Sequence, residues 1–116
     1  MKRLQFRPRK SFIKHLSYLA RLIPPIVDEV RSAIEILLEG NELPKDFRDY
    51  ELKRRLAGYN EFHLRDTPKG TTPTEINDIV ILYKIEDDDL ILVAVDIGSH
   101  IKMFVHNSSK KYRKNK

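Results

Sequence analysis

Two apolar, β-branched runs, Ile79 to Ile85 and Leu90 to Ile97, flank the acidic stretch Glu86 to Asp89, and they constrain this chain more than any other feature. Runs of this length closed by a polar turn read as a hairpin of central strands. With 116 residues there is room for one two-layer domain and not for two, so a single core is expected around that hairpin.

The preceding half supplies the second layer. Leu4 and Phe6 alternate with Arg3, Gln5 and Arg7, which predicts a short first strand with one buried face, stopped at Pro8. Phe12, Leu16, Leu19 and Ile23 then fall on one helical stripe, with Ser11 or a residue just before it as the cap. Pro24 and Pro25 end this helix and open another, in which Asp28 and Glu29 meet the positive end of the dipole. Its apolar stripe is Val27, Val30, Ile34, Leu37 and Leu38, and Gly40 is its stop. So short a connection makes the two helices an antiparallel hairpin. The order strand, helix, helix, strands predicts an α+β fold: an N-terminal strand and a helical hairpin packed on one face of a mainly antiparallel twisted sheet, with the other face free.

Residues 41 to 56, with Pro44, Asp46, Asp49 and the cluster Lys53, Arg54 and Arg55, read as an irregular surface connection. Tyr59 to Arg65 alternates, so Phe62 and Leu64 face inward and Tyr59, Glu61, His63 and Arg65 share the opposite face. Asp66 to Asp78 contains Thr67-Pro68, Lys69-Gly70 and Thr72-Pro73, a turn-forming composition expected to give a mobile loop. After Gly98, Ser99 either caps a short helical turn or leads into a final strand through Phe104. Residues 1 to 105 are expected to form the domain, and 106 to 116, with five basic residues and no acid, a solvated flexible tail.

Charge is unevenly spread. Residues 1 to 65 carry 14 Lys or Arg against 9 Asp or Glu, whereas residues 66 to 105 carry 3 against 8. A net charge of +5 with a basic front half suits a polyanionic partner. Cysteine is absent, which excludes disulfides and thiolate chemistry and suits a reducing cytoplasm. No stretch approaches the roughly 20 apolar residues of a membrane span.

Of the four histidines, only His63 and His100 sit where a strand or strand end presents them beside other polar groups. Histidine titrates near neutrality, so such a pair can take a proton from one oxygen and give one to another, as RNA cleavage through the 2′-hydroxyl requires. From spacing alone, a surface strand histidine at 63 and a capping or packing histidine at 100 are the commoner explanation. His15 and His106 are assigned no chemistry. No His-x-x-x-His, Glu-x-x-His or cysteine spacing points to a metal, and no cofactor is expected. Thr67 to Thr72 lacks the Gly-Lys-Ser/Thr pattern of a phosphate loop, Asp87 to Asp89 lacks the ligand series of a calcium loop, and serine-nucleophile signatures are missing.

Four blocks together carry a resemblance: Arg48-Asp49-Tyr50-Glu51-Leu52, Gly58-Tyr59-Asn60-Glu61-Phe62-His63-Leu64, Leu82-Tyr83-Lys84-Ile85 and Gly98-Ser99-His100-Ile101-Lys102-Met103-Phe104. In this order they resemble YafQ-like toxins of the RelE/ParE superfamily, over nearly the whole chain except the basic tail. The resemblance implies a metal-independent, ribosome-dependent mRNA endoribonuclease that halts translation and is neutralised by a cognate antitoxin. It implies His100 as the essential catalytic histidine, His63 as the second, Phe104 as the aromatic near the end of the site, and Glu61 where an acid is common. Tyr50 stands where some members place a further histidine. The 66–78 loop is longer than in the shortest relatives, where an Asp-Trp pair follows the histidine strand, so Asp66 is expected to stand in for that acid. Lys53, Arg54 and Arg55 are candidates for the phosphate, with Tyr50, Tyr59 and Arg65 beside them. Competing readings are a ParE-like toxin acting on DNA gyrase, an antitoxin-bound DNA-binding regulator and a plain RNA-binding module.

Overall fold

The structure is a computed structural model that describes residues 3–104. The predicted tail, 106 to 116, lies outside the described residues. Five strands and three helices follow in order: β1 (Gln5–Pro8), α1 (Lys10–Leu22), α2 (Ile26–Leu38), β2 (Tyr50–Glu51), β3 (Asn60–Arg65), β4 (Ile79–Glu86), β5 (Ile91–Gly98) and α3 (His100–Phe104). Single 3₁₀ turns at Lys45–Phe47 and Arg54–Leu56 flank β2.

The strands form one mixed sheet in the order β1-β5-β4-β3-β2. β1 runs parallel to β5, and every other pairing is antiparallel. The predicted hairpin is therefore the centre of the sheet, and the predicted α+β architecture is the one observed. Helices α1 and α2 cover one face. Phe12, Leu19 and Ile23 meet Ile26, Val30, Ile34, Leu37 and Leu38 over Phe62, Ile79, Ile81, Leu92, Ala94 and Ile97. Removing these side chains from water is the main stabilising contribution.

Four local expectations differ. Phe6 is 40% exposed and packs edge-on against Phe12 instead of entering the core. Ser11 does not cap α1, because the helix already starts at Lys10. Its hydroxyl donates to the Val95 carbonyl at 2.6 Å and ties α1 to β5. The 41–56 connection contains strand β2, which pairs Tyr50 with Glu61 and Glu51 with Asn60. The second sheet face is not free. Val80, Leu82, Val93 and Val95 form a smaller core there beneath Met103 of α3, with Leu52 and Tyr59 at its margin.

Of the two alternatives after Gly98, the helical turn is the one formed. The Ser99 hydroxyl accepts from the Lys102 N–H at 3.2 Å, and the Asp78 carboxylate accepts from the His100 N–H at 2.9 Å. Two otherwise unpaired amides of the first helical turn are thus satisfied. The side chains of Ile101 and Phe104 lie outside the described residues.

Candidate active site

Strand register builds the site. His63 pairs with Val80, and Val80 with Gly98, so one row runs across β3, β4 and β5. The α3 turn begins just past the end of that row and brings His100 back over His63. Their ring centroids lie 5.4 Å apart with planes inclined by 59°.

Glu61, two residues before His63, points to the same face. It is fully buried, and its Oε2 lies 3.4 Å from His63 Nε2 and 3.6 Å from His100 Nε2. The Tyr50 hydroxyl donates to the same oxygen at 3.3 Å, a contact fixed by the pairing of Tyr50 with Glu61 across β2 and β3. A buried carboxylate is tolerated only with such partners. Its other oxygen, Oε1, has no hydrogen-bond partner.

On its other side, His63 Nδ1 meets two groups of opposite kind. Arg48 Nη2 lies 3.2 Å away and Asp66 Oδ1 3.1 Å away, and the two bond each other at 2.5 Å. Arg48 can only donate, so its contact requires Nδ1 to be unprotonated, whereas the Asp66 contact requires Nδ1–H. Burial, chiefly, and the Arg48 charge hold the His63 pKa below its ordinary 6.5, against the opposing pull of Glu61 and Asp66. The neutral imidazole facing Arg48 is therefore the form favoured near neutral pH.

Arg48, Tyr50, His63, Asp66, Asp78 and His100 line one open cleft, closed along a side by Thr67 and Pro73 of the 66–78 loop. Sequence reasoning did not single out Arg48 or Asp78. Arg48 ends the Lys45–Phe47 turn in a left-handed conformation, φ 50°, and its neighbour Asp49 is held by the Tyr83 hydroxyl at 2.7 Å. Asp78 immediately precedes β4, a position visible in sequence as the last acid before the apolar run.

Other expected residues lie elsewhere. Arg65 does not share the His63 face, because the register shifts between the two positions. Its guanidinium instead grips Glu29 of α2 with contacts of 2.9 and 2.6 Å. Lys53, Arg54 and Arg55 are exposed at the turn before the Asn60 end of β3 and do not line the cleft. Tyr59 is at that same end, with the Lys84 ammonium 5.6 Å from its ring centre. The expected aromatic at Phe104 falls on a side chain outside the described residues.

Glu61, His63 and His100 also offer three ligand atoms within 4.8 Å of one another. Two imidazoles and a carboxylate form a donor set suited to zinc or copper(II), and the unpartnered Glu61 oxygen is consistent with one. Glu61 and His63 come from one strand, β3, and His100 from the distant α3, so no local spacing in the sequence marks them as a ligand set.

The chain combines a five-stranded α+β sheet, a helix pair on one face and a histidine pair converging on one cleft. It belongs to the family described as "Bacterial toxin of type II toxin-antitoxin system, YafQ", which matches residues 4–105. Similar solved structures include a metal-bound toxin from Helicobacter pylori, 24% identical, with a TM-score of 0.72 over 87% of this chain and 99% of that one. A copper-bound mutant toxin from the same organism is 25% identical, with a TM-score of 0.68 over 87% and 99%. The toxin of the E. coli DinJ-YafQ toxin-antitoxin complex is 19% identical, with a TM-score of 0.67 over 88% and 98%. No curated protein matches the chain. Among the described residues no helix is long and apolar enough to cross a membrane.

Proposed function

We propose that this toxin is an endoribonuclease that cleaves mRNA on the ribosome, through attack of a 2′-hydroxyl on the adjacent phosphorus. The observation carrying the proposal is the convergence of His63 and His100 on one cleft, on either side of the buried Glu61 carboxylate. Two imidazoles so placed are suited to removing one proton and delivering another on the two sides of a single phosphodiester.

In this reading, neutral His63 takes the 2′-hydroxyl proton at Nδ1, leaving the company of Arg48 for that of Asp66. The 2′-oxygen attacks in line, and Arg48 stabilises the charge that accumulates on the phosphate oxygens. His100, as imidazolium, protonates the departing 5′-oxygen. The products are a 2′,3′-cyclic phosphate and a 5′-hydroxyl. Glu61 orients both rings and balances their charge, and Asp78 positions His100 by holding its backbone amide. Arg48, which among the described residues touches the His63 ring, takes in this reading the phosphate role expected of Lys53, Arg54 and Arg55.

A cognate antitoxin is the proposed partner, supported by the DinJ-YafQ complex of the E. coli relative, and the cytoplasm is the proposed compartment. A transition metal at Glu61, His63 and His100 would take the Nε2 atoms that face Glu61, so that His100 could not carry a proton there and Glu61 could no longer balance the charge of the His63 ring. We therefore assign any metal there an inhibitory effect.

The test is induction in cells with mapping of mRNA ends. New 5′-hydroxyl ends within translated regions are expected. Arrested growth with intact messages and impaired gyrase would establish the ParE-like alternative instead.

A further inference from the structure

A second concavity lies on the far side of α3 from the catalytic cleft. Its walls are α1, the end of β5 and α3, and its volume is about 380 Å³, within the range of small-ligand sites. Leu19, Ile97 and Met103 form an apolar floor. The polar rim has three parts. His15 is pinned through Nδ1 to buried Asp96 at 2.6 Å, which leaves its Nε2 edge available to the groove. Glu75 of the 66–78 loop accepts from the Tyr18 hydroxyl at 3.0 Å and lies 3.5 Å from the Lys102 ammonium, which also sits 5.4 Å from the Tyr18 ring centre. Lys14 has no ion-pair partner among the described residues and stands as an uncompensated cation at the groove.

An apolar floor, a half-exposed tyrosine ring, an imidazole edge and one free ammonium match a planar heterocycle carrying a phosphate. The groove also adjoins the catalytic cleft. Ser99 lines one and His100 the other, and the 66–78 loop supplies Glu75 to the first and Asp66 and Asp78 to the second. We infer that this groove is a nucleotide subsite, which holds the base of a nucleotide flanking the scissile linkage over Tyr18, Leu19 and Met103, with its phosphate on Lys14. The inference rests on the RNA-cleaving reading for the identity of its ligand.

Binding of 5′-nucleoside monophosphates to the full chain, followed by NMR at the His15, Tyr18, His63 and His100 ring signals, tests this without any cleavage. The expected result is a saturable shift of the His15 and Tyr18 signals by at least one of the four monophosphates. Tyr18→Ala should weaken that affinity roughly five-fold or more, and Lys14→Glu should weaken it while leaving the spectrum folded. Tyr18 and Lys14 are both exposed, so neither change threatens the core. His15 and Tyr18 signals that ignore all four monophosphates, or that respond equally to inorganic phosphate, would overturn the inference. So would a response confined to an acidic amphipathic peptide, which would make the groove an antitoxin contact. Because the readout is binding, it can succeed or fail whatever the fate of the catalytic roles of His63 and His100.

Discussion

Arg48 lies 3.2 Å from His63 Nδ1, on the edge of the imidazole opposite the one that faces Glu61. Burial, chiefly, and that nearby cation hold the ring neutral and ready to accept a proton, so removing the guanidinium should raise the His63 pKa. In Arg48→Ala the acid limb of kcat/KM against pH should move upward from a wild-type midpoint below 6.5. Activity at pH 7 should fall by about 10²-fold, since a cation near the phosphate is lost as well. An unmoved acid limb with the activity retained would separate Arg48 from His63 function.

The same depressed pKa has a sign in folding. The unfolded chain binds a proton at His63 near pH 6.5 and the folded chain only at lower pH, so the neutral ring's contribution is fully present above 6.5. It is lost as pH falls through the folded value, at about 1.4 kcal/mol for each unit between the two. Urea unfolding at pH 7.5 and 5.5 should show wild type losing more stability on acidification than His63→Gln. Equal losses would contradict the account.

Arg65 separates the two assignments of its own role. If it serves only to clasp Glu29, Arg65→Ala should cost about 1 kcal/mol, the modest value expected for a partly exposed pair. Cleavage by the folded variant should stay within about threefold of wild type. A much larger loss of activity at unchanged stability would return Arg65 to the site.

Metal should inhibit. Calorimetry with copper(II) or zinc should show about one site per chain, weakened by Glu61→Gln and abolished by His63→Ala combined with His100→Ala. Cleavage should decline as the site fills and survive a chelator. Activity that disappears with the chelator and returns with metal would reverse the assignment.

The hairpin Ile79 to Ile97, the α1 stripe and the helix stop at Gly40 were legible because each depends on local periodicity or a single turn residue. The pair His63 and His100 was legible as two candidates, but their contact depends on the row His63, Val80, Gly98, which no one segment encodes. Arg65 was misplaced because strict alternation was assumed through a register shift. β2 escaped because two residues cannot show an alternation. Arg48 escaped because its direction follows from a left-handed turn and from the tether of Asp49 to Tyr83, both properties of the folded chain. The buried state of Glu61 was hidden for the same reason: α3 and Tyr50, distant in sequence, close over it.

The central claim is that His100 delivers a proton to the 5′-oxygen and His63 removes one from the 2′-hydroxyl. The most direct test is cleavage of a message with a single 5′-bridging sulfur at the scissile linkage, because a thiolate leaves without needing a proton. His100→Ala should be slowed by about 10²- to 10⁴-fold on the oxygen substrate and largely restored on the sulfur substrate, while His63→Ala stays slow on both. Equal slowing of His100→Ala on the two substrates, or rescue of His63→Ala instead, would contradict the account.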